Sequence, residues 1–267
     1  MGMTVELRDV TIARGGRRLL AGLEIGFAPG SVTVLAGPNG AGKSTLLDCL
    51  AGDLAPEAGE VRLGGQALAG LSLSRRAMLR SMLRQHSDIA FDYGVADVVG
   101  MGLHPHGIGP ASAEGQALVN RALADMDLAA FAGRAATRLS GGEAQRVHIA
   151  RCLVQLRAGM AAGDGGLLLL DEPTTGLDYR HQLALLRLLK AEAADGATIV
   201  ASLHDLPYAA RLADRLLLLG DGRLLADMPP ARLDPALVAS VYAIDPAEAA
   251  LLLGLARTPL PLALAAE

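Results

Sequence analysis

Cysteine, lysine, basic excess and long apolar runs are what this 267-residue sequence has little of, and each shortage removes a class of protein. The two cysteines, Cys49 and Cys152, stand far apart without metal-ligand spacing. That spacing excludes a disulfide framework or a zinc site and fits buried free thiols in a reducing cytoplasm. With 24 Lys and Arg against 28 Asp and Glu, the net charge is −4, which argues against nucleic acid as the main partner. Only Lys43 and Lys190 are lysines; the Arg and Ala excess reflects coding bias rather than function. No apolar stretch reaches the roughly 20 residues that span a bilayer. The tail after Ala249 comes nearest, and Arg257, Pro259 and Pro261 break it. The first six residues lack the basic-then-apolar layout of a signal peptide. The expectation is a chain soluble by itself, whose membrane role, if any, requires a partner.

What is present reads as one globular α/β domain, 51% hydrophobic and 19% charged, long enough to bury a full core. Residues 5–10 alternate apolar and polar side chains, as a half-buried strand does, and residues 23–27 repeat the alternation. Val32, Val34, Leu35 and Ala36 mark a short buried strand that feeds a glycine loop, and a helix begins near Ser44. From about residue 72 to 156 the pattern is helical. Ser74 is the expected N-cap of a helix over residues 75–84, and residues 113–128 carry apolar side chains at helical spacing. Residues 158–166 read as a surface loop before a strand at 167–170. Further core strands are expected at 198–202 and 216–219, and helix starts at Asp234-Pro235 and Asp245-Pro246.

The loop is Gly37-Pro38-Asn39-Gly40-Ala41-Gly42-Lys43-Ser44, followed by Thr45. Its glycines let backbone N–H groups turn inward on a phosphate, and the following helix adds the positive end of its dipole. Lys43 can reach the β and γ phosphates, and the Ser44 hydroxyl can bind Mg²⁺. A second segment, Leu167 to Leu170 followed by Asp171 and Glu172, buries a strand and leaves two acids at its carboxyl end, where open α/β sheets bind ligands. Asp171 is suited to hold Mg²⁺, and Glu172 to polarise an attacking water.

Between these two elements lies Leu139-Ser140-Gly141-Gly142-Glu143. With it the sequence resembles the ATP-binding cassette (ABC) ATPases from about residue 4 to 245. The resemblance implies a P-loop NTPase cassette: a RecA-like core at about 1–71 and 157–245, an antiparallel β subdomain, an inserted helical subdomain at about 72–156, and a tail at 246–267. It also implies a head-to-tail homodimer, in which Ser140, Gly141 and Gly142 meet the γ-phosphate held by the other copy. Gln85 matches the Q-loop glutamine that senses Mg²⁺ and the membrane partner, Asp178 the D-loop acid at the dimer interface, and His204 the switch histidine on the γ-phosphate. ATP and Mg²⁺ are the implied cofactors. Where the family stacks an aromatic ring on adenine, this sequence has Arg14, whose guanidinium can also stack on a π face.

Gln85-His86-Ser87, Phe91, residues 95–102 and Leu203-His204-Asp205-Leu206 resemble the importer branch that serves iron chelates, haem and cobalamin. Arg146-Val147-His148, His104-Pro105-His106 and Gln155-Leu156 are most similar to the haemin-import ATPases. That resemblance implies two copies of a polytopic permease, held near residues 86–110 on the cytoplasmic face of the bacterial inner membrane, and a periplasmic haem-binding protein acting indirectly. A ferric siderophore or cobalamin is the alternative cargo, and a soluble ABC ATPase that remodels an assembly is the alternative class. His104, His106 and His148 are read as a contact loop and a solvated helix face, not as haem ligands.

Overall fold

The computed structural model describes residues 2–85 and 92–254. His86, Ser87, Phe91, Arg257, Pro259 and Pro261, on which some expectations rest, lie outside the described residues.

Two sheets share the core. The smaller is antiparallel, with β1 (Val5–Arg14), β2 (Arg17–Phe27), β4 (Ala58–Leu63) and β5 (Gln66–Ala67) in the order β2-β1-β4-β5. Its alternation is the expected one: Val5 and Leu7, then Leu23, Ile25 and Phe27, are buried. The larger sheet takes β3 (Ser31–Ala36), β6 (Arg80–Leu83), β7 (Leu167–Asp171), β8 (Thr198–Ser202), β9 (Arg215–Gly220) and β10 (Arg223–Met228) in the order β10-β9-β3-β8-β7-β6. All its pairings are parallel except β9 with β10. Strands buried on both faces read as continuous apolar runs, and β7 and β8 are buried at every position. The carboxyl ends of β3, β7 and β8 come out side by side. Ala36, Asp171 and Ser202 thus bring the phosphate loop, the acid pair and the segment leading to His204 to one edge.

α1 (Lys43–Ala51) follows the loop and buries Leu46, Leu47 and Leu50. Ser72, not Ser74, caps α2 (Leu73–Leu79), accepting from the Arg75 N–H. The helix stops at Leu79 because residues 80–83 pair with β7, so the expected helix over 75–84 is half strand. α3 (Val95–Gly100) and α4 (Ala113–Asp125) pack on α5 (Gly141–Ala161), a 21-residue helix buried nearly all round from Arg146 to Gly159. Ala158 and Gly159 are therefore buried helix rather than surface loop, which is confined to residues 162–165. The same enclosure overturns the solvated reading of His148, which is 8% exposed. His104 is exposed, and His106 Nε2 lies 3.1 Å from the Gln155 carbonyl.

α6 (Tyr179–Ala194) and α7 (Leu206–Leu212) pack with α5 on one face of the larger sheet, and α1 lies on the opposite face. α8 (Pro235–Tyr242) and α9 (Pro246–Leu252) start at their Asp-Pro caps and pack with Ala36, Leu206, Leu218 and Met228 in a small third cluster. Cys49 and Cys152 are buried and free. Among the described residues no single helix is long and apolar enough to cross a membrane.

Candidate nucleotide site

The phosphate loop holds itself in shape. Gly37 has φ 144°, and a Cβ there would stand 2.1 Å from the Leu219 carbonyl oxygen, so only glycine lets the chain leave β3 flush against β9. Its carbonyl and that of Pro38 accept from the Lys43 ammonium at 2.7 and 3.0 Å. Lys43 is 5% exposed; burial pushes its pKa down, while the Glu172 and Asp171 charges pull it back up. Gly42 forms the left-handed N-cap of α1, and no side chain caps that helix, so its first N–H groups remain for a ligand.

The two acids sit against this loop in different surroundings. Asp171, 5% exposed, accepts from Ser44 Oγ at 3.1 Å and Ser202 Oγ at 2.5 Å. Glu172 takes φ +50°, a region a non-glycine seldom adopts and one that collects at functional sites. Its N–H donates to Ser202 Oγ at 2.9 Å, and its carboxylate makes a short contact with His204 Nε2. Ser202, wholly buried, thus ties both acids. Sequence reasoning took it only as the end of a strand; its one signal is its position two residues before His204.

Asn39, Gly40, Gly42, Lys43, Ser44, Thr45, Gln85, Glu172 and His204 line one cavity of about 720 Å³, with Arg14, Arg17 and Leu19 at its β-sheet side. Gly37, Pro38, Ala41 and Asp171 do not line it, but Gly37 and Pro38 bond to Lys43 and Asp171 to Ser44, which do. No aromatic residue is among the lining residues. Arg14 is in place, its side chain 67% exposed and 3.9 Å from Asp48; Arg17 and Leu19 were not anticipated. The donor set suits Mg²⁺, which keeps water and phosphate ligands and needs only one or two protein oxygens. Ser44 and Asp171 offer a hydroxyl and a carboxylate 3.1 Å apart. Among the described residues no cluster of three His, Cys, Asp or Glu forms an all-protein cage.

Ser140, Gly141, Gly142 and Asp178 do not line this cavity. Ser140 caps α5 through a reciprocal pair with Glu143: the Glu143 N–H donates to Ser140 Oγ at 3.3 Å, and the Ser140 N–H to Glu143 Oε2 at 2.7 Å. A Cβ on Gly141 would meet nothing within 4 Å, whereas one on Gly142 would stand 2.5 Å from the Gly176 carbonyl oxygen. Asp178 caps α6, accepting from the His181 N–H at 2.9 Å. That bond is the first of the causes that lower its pKa.

The ABC transporter family model matches residues 20–175, and the chain belongs to that family. It is 42% identical over 246 residues to the hemin import ATP-binding protein HmuV of Rhodopseudomonas palustris (strain HaA2), covering 92% of each chain. It is 46% identical over 246 residues to the protein of that name from Bordetella pertussis, covering 91% of this chain and 93% of the other. Among solved structures it is similar to a bacterial Atm1-family ABC exporter with ATP bound (TM-score 0.74, 27% identity), over 86% of this chain and 40% of the exporter chain. An ATP-binding subunit of an ABC transporter shares the fold at 22% identity (TM-score 0.77), over 94% of this chain and 99% of that one.

Proposed function

We propose that this chain is the ATP-hydrolysing subunit of an importer that carries haem across the bacterial inner membrane. It works as a head-to-tail homodimer on the cytoplasmic face, bound to two copies of a polytopic permease, with a periplasmic haem-binding protein supplying cargo. The observation that carries the reading is the convergence of Lys43, Ser44, Glu172 and His204 on one cavity, with Asp171 bonded to Ser44 behind it. The names of relatives 42–46% identical over about nine-tenths of the chain support haem as the cargo.

The residues take the following parts. The loop N–H groups from Gly37 to Thr45 cradle the phosphates, and the Lys43 ammonium exchanges its carbonyl partners for phosphate oxygens. Ser44, Asp171 and Gln85 hold Mg²⁺, which when bound offsets phosphate charge. Glu172 orients the attacking water and takes its proton; His204, which contacts Glu172, turns to the γ-phosphate. Arg14 lies against the base. Ser140, Gly141 and Gly142 close over the phosphate bound by the other copy, and Asp178 crosses the interface. Closure moves the permease, and hydrolysis reopens the dimer.

Reconstituting the co-purified membrane complex tests the cargo. Haem presented by its binding protein is expected to stimulate ATP hydrolysis, and ferric siderophore and cobalamin are not. Stimulation by cobalamin alone would overturn the haem reading and leave the importer standing. Purification without any membrane protein would overturn both.

A further inference from the structure

The C-terminal helix pair touches the phosphate loop through one side chain. Tyr242, the last residue of α8, places its phenol oxygen 3.0 Å from the Gly37 N–H, which donates to it across 205 residues of sequence. Gly37 is the residue whose carbonyl, one peptide further on, accepts from the Lys43 ammonium, and whose α-carbon has no room for a side chain against β9. Its N–H lies beyond the sheet ladder, because the last register pair of β3 with β9 is Ala36 with Leu218. Without Tyr242 that donor would face a part-buried setting with no other acceptor among the described residues, and unmet polar groups of this kind are costly.

The surroundings of Tyr242 hold it to this task. Ala243, the next residue, takes φ +53° and ends α8 in a left-handed turn, while the Ile244 N–H bonds back to the Ala239 carbonyl at 3.1 Å. A non-glycine in that region is a strained choice that the packing must sustain. The cluster beneath joins Val238, Ala239 and Val241 to Ala36, next to Gly37, and to Leu206, two residues beyond His204. The helix pair therefore buttresses both segments that face the phosphates.

We infer that Tyr242 is a positioning residue for nucleotide binding: its phenol oxygen holds the Gly37 peptide in the one orientation that presents a formed phosphate loop and an aligned Lys43. This rests on the reading of Gly37 to Ser44 as the phosphate site. A loop that is formed only part of the time binds with an affinity lowered by the formed fraction, while turnover at saturation is unaffected. Losing one such bond is expected to raise the MgATP KM and dissociation constant about three- to tenfold.

The test compares Tyr242→Phe, which deletes only the hydroxyl, with Ile244→Ala, which loosens the same cluster and keeps the phenol. Steady-state hydrolysis, equilibrium MgATP binding and thermal melting are measured on the full chain. Tyr242→Phe is expected to show the KM rise with kcat within about twofold of the parent, the split that a lost preorganising bond implies. Ile244→Ala is expected to melt earlier with a smaller KM rise than Tyr242→Phe. An unchanged KM in Tyr242→Phe, or an equal rise in both variants, overturns the inference. Lys43→Ala separates this from the underlying reading: if it binds MgATP as the parent does, the phosphate-site assignment itself has failed.

Discussion

The phosphate-loop half and the signature half of this chain satisfy their polar groups in opposite ways. Around the loop, Lys43 bonds within its own segment to Gly37 and Pro38, but the other reactive groups have partners distant in sequence: Ser44 with Asp171, Asp171 with Ser202, Glu172 with His204. At the head of α5 the pairing is local, within Ser140 to Glu143, and Gly141 faces open space. A ligand entering the first half must displace internal contacts, so that half is shaped in advance by the whole fold. The second half is a helix start built from its own four residues, and the proposed reading gives it a task only when a second copy faces it.

The largest break in that contrast comes from Glu172→Gln. It removes the acid that takes a proton and keeps the shape, so hydrolysis should fall about 10²- to 10⁴-fold. ATP binding should persist, and ATP should drive the variant into a dimer visible by size-exclusion chromatography. A normal rate of hydrolysis would show that Glu172 is not the base.

Arg157 is the next test, because it pins the signature helix to both neighbours. From α5 its guanidinium reaches Glu192 of α6 at 2.9 and 2.5 Å and Asp125 of α4 at 2.6 Å, with Arg157 and Glu192 side chains 6% and 4% exposed. Removing one partner of a buried pair strands the other charge. Arg157→Ala should therefore cost about 3 kcal/mol in urea unfolding, and Arg157→Met in an Asp125→Leu, Glu192→Leu background much less. Equal losses would mean that shape, not charge, holds α5 there.

The halves also differed in how far they could be read from sequence. Residues 37–45, 139–143 and 167–172 are continuous segments, so each could be singled out from its local order and spacing, with the part proposed for 139–143 coming from the family it resembles. Arg80–Leu83 was lost to a helix because Arg-Ser-Met-Leu follows α2 without a breaker and has no β-branched residue; its strand state comes from pairing with β7, a tertiary effect. Ser202 and Tyr242 were not recognised as site residues for the same reason, since the residues they hold lie about 30 and 205 positions away. His148 was misjudged because α5 is enclosed on all sides, which removes the polar face that a pattern search expects.

Gly141 and Gly142 give the smallest and sharpest test, because adjacent glycines in one motif should fail for different reasons. Gly142→Ala would drive a Cβ to 2.5 Å from the Gly176 carbonyl oxygen. That contact is internal to one chain, and relieving it should cost about 1–3 kcal/mol. Gly141→Ala meets nothing within 4 Å, and an alanine in a helix is favoured over glycine by roughly 0.5–1 kcal/mol, so stability should hold or rise. On the proposed head-to-tail dimer its hydrolysis should nonetheless fall, because the added methyl would enter the space assigned there to the phosphate on the other copy. Melting and ATPase rates of the two variants separate these effects. If Gly141→Ala hydrolyses ATP at the parental rate, the open face at the head of α5 has no part in closing the site.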